Sequence, residues 1–272
     1  MDMLDSTAPV PLSPEAVRRA NFTAMRTIAR REVVRILRIW GQTLVPPAIT
    51  MTLYFLIFGK LIGSRIGDMG GFSYMDFIVP GLVMMSVIQN AYGNISSSFF
   101  GAKFGRHVEE LLVSPMPNWV ILGGYVAGGV LRGLMVGAIV LVIAMFFTHV
   151  RMPHPFVTLV TVLAGATIFS LAGFVNAVYA KKFDDIAIIP TFILTPLTYL
   201  GGVFYSVNQL GSPWREISHA NPILYMVNAF RYGLLGISDI SMGVAYAVMI
   251  GFAVVLGALG MYLLERGIGL RS

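Results

Sequence analysis

The chain has no cysteine among its 272 residues. This absence excludes disulfide bonds, thiolate nucleophiles, iron–sulfur clusters and cysteine-based zinc sites. Charged residues are also scarce: Asp, Glu, Lys and Arg make up 12% of the chain, whereas an average soluble domain has about 25%. Apolar residues reach 56%. So few charges do not cover the surface of a soluble protein, and the composition predicts an all-α polytopic membrane protein.

Carboxylates are missing where an ion-coupled carrier needs them. None occurs between Glu110 and Asp184, and none between Asp185 and Glu216. Such carriers generally bind their coupling ion with ionisable groups at membrane depth. A nucleotide-binding P-loop is absent too, because the only Gly-Lys pair is followed by Leu61 rather than Ser or Thr. Neither HExxH nor GxSxG occurs, which disfavours an enzyme. If ATP drives this protein, another chain must bind it.

Six apolar stretches have about the length of 20 residues that a helix needs to cross a bilayer. They cover residues 41–63, 77–100, 119–147, 155–180, 186–207 and 242–264. An even number of spans places both termini on the same side. Thirteen of the 19 Lys and Arg residues then fall on the side of the termini, five on the other side, and Arg132 inside the third span. The positive-inside rule assigns both termini to the cytoplasm.

The first 40 residues differ from the rest of the chain. Residues 1–20 are rich in proline and small polar residues, which predicts a disordered tail. In residues 21–40, apolar side chains recur at steps of three and four with arginines between them. This pattern predicts an amphipathic helix with a basic face in the headgroup layer of an anionic leaflet. The alternative is a core-facing helix of a small soluble domain, although no other soluble segment is available to pack on it.

Two connections between the predicted spans are longer than a turn. Residues 101–118 hold a short amphipathic piece, 107–113, which Ser114 and Pro115 close on the cytoplasmic side. Residues 208–241, on the outer side, contain an apolar stretch that is too short and too polar for a full span. A re-entrant or interfacial helix pair fits this outer segment better, because non-spanning backbone at membrane depth must be surrounded by protein.

Arg132 is a charge thirteen residues into the third predicted span. An arginine near the bilayer centre costs about 2.5 to 3.5 kcal/mol on insertion scales, so we expect it to face the bundle or a wet cavity. It either contacts an anionic group of a substrate or is a structural arginine that is bonded to backbone carbonyls or snorkels inward. Glycines at steps of four around it predict close helix packing rather than chemistry.

Aromatic residues cluster in the first and fifth spans. Tyr54, Phe58, Phe192 and Tyr199 lie deeper in these spans than the other aromatic residues. They are candidates for a conduit whose rings slide past a lipid or a sugar. The alternative is an interfacial aromatic belt, which is favoured for residues near the ends of spans.

Several longer stretches resemble one family. They are RIWGQTLVPPAITMTLYFLIFG at 38–59, FIVPGLVMMSVIQNAYGN at 77–94, SSFFGAKFGRHVEELLVSPMP at 97–117, FDDIAIIPTFILTPLTYLGGVFYS at 183–206 and NPILYMVNAFRYGLLGISD at 221–239. Together with the basic helix and the long outer segment, they are similar to the ABC-2 type permeases, in particular the YadH-like inner-membrane permeases of proteobacteria. The resemblance implies the type V exporter fold, with six spans in residues 41–272.

The resemblance also implies partners and contact residues. Two copies of the permease associate and dock two copies of a separate ABC ATPase. The cytoplasmic segment 104–115 corresponds to the coupling helix, with Arg106, Glu109 and Glu110 as polar contacts of the ATPase, Leu111 and Leu112 as apolar contacts, and Pro115 at its end. The basic helix with Arg30, Arg31 and Glu32 resembles the connecting helix, which adds contacts with the ATPase.

The expected function is therefore the membrane subunit of an ABC exporter in the bacterial inner membrane. Its substrate is expected to be an amphipathic lipid, lipid-linked glycan or drug. The chain is expected to have no catalytic residues, to bind no cofactor, metal or nucleic acid, and to contact membrane lipids, while its partner ATPase binds ATP and Mg²⁺. The alternative is a non-transporting membrane anchor or sensor for an ATPase pair. Family resemblance does not select the substrate.

Overall fold

A computed structural model of the chain describes residues 13–150 and 152–270, in which the structure is almost entirely helical. The predicted tail at 1–20 lies partly outside these residues. Helix α1 already covers Pro14–Arg38, so the helix begins seven residues before the predicted start at residue 21. The reason is local: Ser13 Oγ accepts a hydrogen bond from the backbone N–H of Ala16, and Pro14 occupies the first helical position.

The next part of the chain forms the first candidate span. It consists of α2 (Trp40–Thr43), α3 (Val45–Tyr54), a π-helical segment (Phe55–Ile62) and α4 (Gly63–Ile66). A two-stranded antiparallel hairpin follows, in which β1 (Asp68–Met69) pairs with β2 (Phe72–Ser73). The hairpin turns the chain into the long central helix α5 (Tyr74–Phe104).

The remaining helices continue the bundle. They are α6 (His107–Val113), α7 (Asn118–Ala144), α8 (Pro155–Tyr179), α9 (Asp185–Ile189), α10 (Thr195–Leu200), α11 (Trp214–His219), α12 (Pro222–Leu235) and α13 (Met242–Arg266). A π-helical turn joins α9 to α10, and a short 3₁₀ turn, Val207–Gln209, precedes α11. Helix α5 lies at the centre and packs against α7, α8 and α12.

Four helical stretches of the described chain are long and apolar enough to cross a membrane. They are Trp40–Gly59, Asn118–Ala144, Pro155–Tyr179 and Met242–Arg266. These stretches match the predicted first, third, fourth and sixth spans to within a few residues. The predicted second span lies inside the 31-residue helix α5, whose middle carries several Asn and Ser side chains.

The predicted fifth span, 186–207, is longer than the helix that the structure forms there. The apolar helix covers Asp185–Leu200 and stops because Gly202 adopts a left-handed conformation with φ of 71°. The residues after it return in a loop, so residues 201–206 of the predicted span are not helical and Val207 begins the 3₁₀ turn. The structure thus contains four clear candidate spans, and the count of six stays a prediction.

Residues 208–241, which are predicted to lie on the outer side, form a pair of helices, α11 and α12. Helix α12 is buried against α5, α8, α10 and α13, and Arg231 within it is 1% exposed. The Arg231 guanidinium donates to the backbone oxygen of Gly202 at 2.6 Å and lies 3.9 Å from the centroid of the Phe77 ring. One buried cation therefore joins α12 to the loop after α10 and to the start of α5.

Candidate functional site

The corner between α5 and α7 carries the predicted coupling segment 104–115. Phe104 still belongs to α5, and Arg106 adopts a left-handed conformation with φ of 59°, which breaks the helix before α6 begins at His107. Pro117, the residue before α7, has an extended conformation after the break at Ser114. The two breaks lie 8 residues apart, so α6 is a single short helix between two long ones.

The side chains of α6 divide into a buried and an exposed set. Val108 is 1% exposed and packs in the hydrophobic cluster of Phe99 and Phe174. Leu111 and Leu112, the predicted apolar contacts, are only partly buried and pack against the same cluster. The polar residues predicted for this site are exposed, and so is its closing proline: Arg106, Glu109, Glu110 and Pro115.

The largest apolar exposure on α6 belongs to a residue that sequence reasoning missed. Val113 is 86% exposed, and Phe104, at the end of α5, is 65% exposed. An amphipathic repeat does not identify such residues, because they lie where a short helix turns away from its neighbours. The exposed face of this corner therefore combines two carboxylates with apolar side chains.

Helix α1 packs lengthwise along the first half of α7 through glycines. A Cβ atom on Gly124 would lie 2.7 Å from Ile28, and one on Gly128 would lie 2.6 Å from Glu32. The contacts advance by four residues on both helices, so the helices run parallel and close together. This helix runs beside a candidate span, and its position in a headgroup layer stays a prediction.

The structure corrects the prediction that Glu32 contacts the ATPase. Glu32 is 1% exposed and points into the bundle. Its carboxylate accepts hydrogen bonds from Arg35 Nη2 at 2.8 Å, from Ser98 Oγ at 2.5 Å and from Asn94 Nδ2 at 3.3 Å. A side chain enclosed in this way is not available to another protein, and it fastens α1 to α5 instead.

The other two predicted residues of the basic helix lie closer to the surface. Arg31 Nη2 donates to the hydroxyl of Tyr125 on α7 at 2.5 Å, and Arg30 is exposed. Between the first half of α1 and the α6 corner lies a cavity of about 530 Å³, which Leu111 and Ile28 line. The two elements that were predicted to meet the ATPase are therefore neighbours.

Three of the four predicted conduit aromatics come together. Tyr54 Oη lies 3.1 Å from Tyr199 Oη, and the Tyr54 and Phe58 ring centroids are 5.8 Å apart. Phe204 completes the group, with its centroid 4.7 Å from that of Phe58 and 5.9 Å from that of Tyr199. Phe192 does not join them and is 72% exposed. The loop after Gly202 turns Phe204 back onto these rings, which no periodic pattern indicates.

Arg132 lies on α7 with its side chain partly buried. Within the described chain its Nε atom is buried and has no hydrogen-bond partner. Bonds from its guanidinium to backbone carbonyls, the structural explanation weighed from the sequence, are not among the hydrogen bonds of the described residues. The partly buried Arg132 side chain therefore has no hydrogen bond with another of the described residues.

Comparison with protein families identifies the chain. The model of the ABC-2 type transporter family matches residues 23–235. The chain belongs to this family. Over 251 residues the permease is 57% identical to the inner membrane transport permease YadH of Escherichia coli K12. The aligned region covers 92% of this chain and 98% of the relative.

More distant relatives cover the same length of the permease. Nodulation protein J of Sinorhizobium fredii is 26% identical over 253 residues, which is 92% of each chain. The Rhizobium meliloti protein of the same name is 24% identical, again over 92% of each chain. The permease is thus a multi-pass inner-membrane subunit of an ABC transporter. Permeases of this family work with ATPase subunits, which implies an ABC ATPase partner.

Proposed function

We propose that two copies of this permease associate, dock two ABC ATPase subunits through α6, and export an amphipathic substrate from the cytoplasmic side. ATP and Mg²⁺ bind to the ATPase, and the permease itself supplies no catalytic group or cofactor site. The observation that carries the proposal is the corner at α6. A short helix with exposed Glu109, Glu110 and Val113 is anchored by buried Val108 between the two long helices α5 and α7.

This geometry supports mechanical coupling. A force applied to α6 is transmitted to α5 and α7, because only Gly105 and Arg106 separate α6 from α5 and only residues 114–117 separate it from α7. Helix α1 adds a second path, since it lines the cavity beside α6 and is fastened to α5 by Glu32. Closure of the ATPase pair would then move α1, α5 and α7 as one unit and open the path for the substrate.

The aromatic cluster supports an amphipathic substrate. Tyr54, Phe58, Tyr199 and Phe204 form one group, yet Tyr199 remains 41% exposed. A half-exposed aromatic group with two hydroxyls suits a molecule that is apolar at one end and polar at the other. In the proposed homodimer, the same group of the second copy faces it across the path.

The proposed docking is tested with a double substitution, Glu109→Lys with Glu110→Lys. The control is Glu216→Lys, an equally exposed carboxylate on α11 at the predicted outer side. Copurification with the ATPase and substrate-dependent ATP hydrolysis are measured for both. We expect the double variant to lose assembly and the control to retain it. Normal assembly and coupling in the double variant would contradict docking at α6, and coupled hydrolysis without substrate movement would favour the anchor function.

The proposed orientation is tested by single cysteines, because the natural chain has none. Glu110→Cys and Glu216→Cys place a thiol at each predicted side. We expect a membrane-impermeant maleimide to label only Cys at position 216 in intact spheroplasts and both positions after lysis. Labelling at position 110 before lysis would contradict cytoplasmic termini.

A further inference from the structure

One face of α1 forms a groove of about 480 Å³ that is rich in guanidinium groups. The groove is lined by Thr27, Arg30, Arg31, Val34, Arg35, Arg38 and Ile39. These positions recur at steps of three and four, so they share one side of the helix, next to the side that packs on α7. The groove therefore combines four positive charges with two aliphatic side chains.

Arg132 of α7 brings a fifth guanidinium to this region. The parallel packing pairs Ile28 with Gly124 and Glu32 with Gly128, so the next turn places Arg132 beside Arg35 and Ile36. The guanidinium groups of Arg132 and Arg35 are close enough to repel each other. In the described part of the chain, the Nε atoms of both residues are buried and have no hydrogen-bond partner.

The chain supplies too little negative charge for these cations. Within residues 13–150 and 152–270, the ion pairs of Arg31 and Arg35 both go to Glu32, at 4.0 and 2.8 Å. Ser98 and Asn94 donate hydrogen bonds to the same carboxylate. One carboxylate thus pairs with two guanidinium groups, and Arg132 has no ion pair among these residues. Charges that are removed from water and not compensated are costly, so an external anion would bind here favourably.

We propose that this groove and Arg132 bind the phosphate-bearing headgroup of an anionic membrane amphiphile. Guanidinium groups match phosphate oxygens with two parallel hydrogen bonds. The apolar side chains favour an amphiphile over a free anion: Val34 in the groove is 44% exposed, and Trp40, just beyond its end, is 60% exposed. The inference that the headgroup binds here is independent of the proposed function. The inference that the bound amphiphile is also the transported substrate rests on the proposed function.

Binding is tested by calorimetry with the full chain in nanodiscs of phosphatidylcholine. Dioctanoyl phosphatidate is the probe, and dioctanoyl phosphatidylcholine and inorganic phosphate are the comparison ligands. We expect saturable binding of the phosphatidate alone. Arg132→Gln should weaken it about tenfold or more, because a hydrogen-bonded charge is lost, and Arg132→Lys should weaken it less. The matched control is Arg26→Gln, an exposed arginine of α1 outside the groove, which should leave the affinity unchanged.

A second variant tests the same proposal in case Arg132→Gln fails to fold. Arg38 is exposed, lines the groove and makes no hydrogen bond or ion pair within the described residues, so Arg38→Gln should fold normally. It should weaken phosphatidate binding about threefold. The proposal is overturned if Arg26→Gln weakens binding as much as Arg38→Gln, if phosphatidylcholine or inorganic phosphate binds as tightly, or if Arg38→Gln and Arg132→Gln bind normally.

Vesicles that contain the permease with its ATPase test whether the bound amphiphile is a transported substrate or a resident lipid. Movement of a labelled phosphatidate between leaflets is measured with and without ATP. ATP-dependent movement that Arg132→Gln abolishes identifies the bound amphiphile with a substrate. Groove-dependent binding without ATP-dependent movement supports the site as a resident-lipid site, and it contradicts phosphatidate as the transported substrate rather than binding at the groove.

Discussion

The removal of the Glu32 charge should release α1 from the bundle. The substitution Glu32→Gln keeps the size of the side chain and removes its charge. Arg35, Ser98 and Asn94 all donate to this carboxylate, and the side chain is 1% exposed. After the substitution, Arg35 and Arg31 lose the one carboxylate with which they pair in the described chain. The docked position of α1 then contains two guanidinium groups without a counter-charge, and the side chain of one of them, Arg35, is only 31% exposed.

The size of the effect follows from burial. Removal of one partner of a buried ion pair typically costs about 3 to 5 kcal/mol. At about 1.4 kcal/mol per tenfold change in an equilibrium constant, the lower figure corresponds to roughly a hundredfold larger population of undocked α1. The exposed pair of Arg19 with Glu15 gives the contrast. Its side chains are 79% and 65% exposed, and a pair of this kind contributes about 0.2 to 1 kcal/mol.

Limited proteolysis with trypsin measures this difference, because α1 contains its own cleavage sites. When opening is fast relative to cleavage, the rate of cleavage follows the open population. We expect cleavage after Arg35 to be roughly a hundredfold faster in Glu32→Gln, and less than about fivefold faster in Glu15→Gln. Equal rates of cleavage after Arg35 in Glu32→Gln and the natural chain, or equal rates in the two variants, would refute the inference that Glu32 holds α1 against α5.

Other predictions concern packing, the outer segment and pH. Gly128→Ala places a Cβ 2.6 Å from Glu32 and should lower stability by about 1 to 3 kcal/mol in thermal unfolding, whereas Gly93→Ala, with open space around it, should not. Arg231→Met leaves the Gly202 oxygen without its donor and should lower stability by about 2 to 3 kcal/mol in the same assay. An unchanged melting temperature would contradict the role of Arg231 in joining α12 to the loop after α10. The backbone N–H groups of Lys181 and Lys182 hold the pKa of Asp185 below its ordinary value. Asp185 therefore stabilises the fold above about pH 4, and this contribution is lost as the pH falls through the lowered pKa. The difference in melting temperature between about pH 6 and pH 3 should shrink in Asp185→Asn, and an unchanged difference would refute the assignment.

Local signals in the sequence account for much of the fold. The scarcity of charge predicts the membrane class, and apolar length predicts the spans that become α7, α8 and α13. The short helix α6 was also predictable, because Ser114 and Pro115 end it within one amphipathic repeat. The start of α1 at Pro14 carried a readable signal as well, since Ser, Pro and Glu in succession form a helix start.

The errors arose where the outcome depends on which neighbour a side chain meets. The family resemblance implied that Glu32 contacts the ATPase, but Gly128 allows α7 to come so close that this carboxylate is enclosed. Phe192 and Phe204 are indistinguishable by residue type. The turn after Gly202 brings Phe204 onto Phe58 and leaves Phe192 outside.

The sequence by itself determined that this chain is a membrane protein without a P-loop motif, and that the corner between α5 and α7 holds a short helix. These properties depend on composition, on the length of apolar stretches and on residues adjacent in the chain. Only the tertiary structure decided that Glu32 is buried and that the buried Nε of Arg132 has no hydrogen-bond partner among the residues that the structure describes. The spacing within one helix defines its faces, but the close contact of two helices decides which charges are enclosed and which stay available for a ligand.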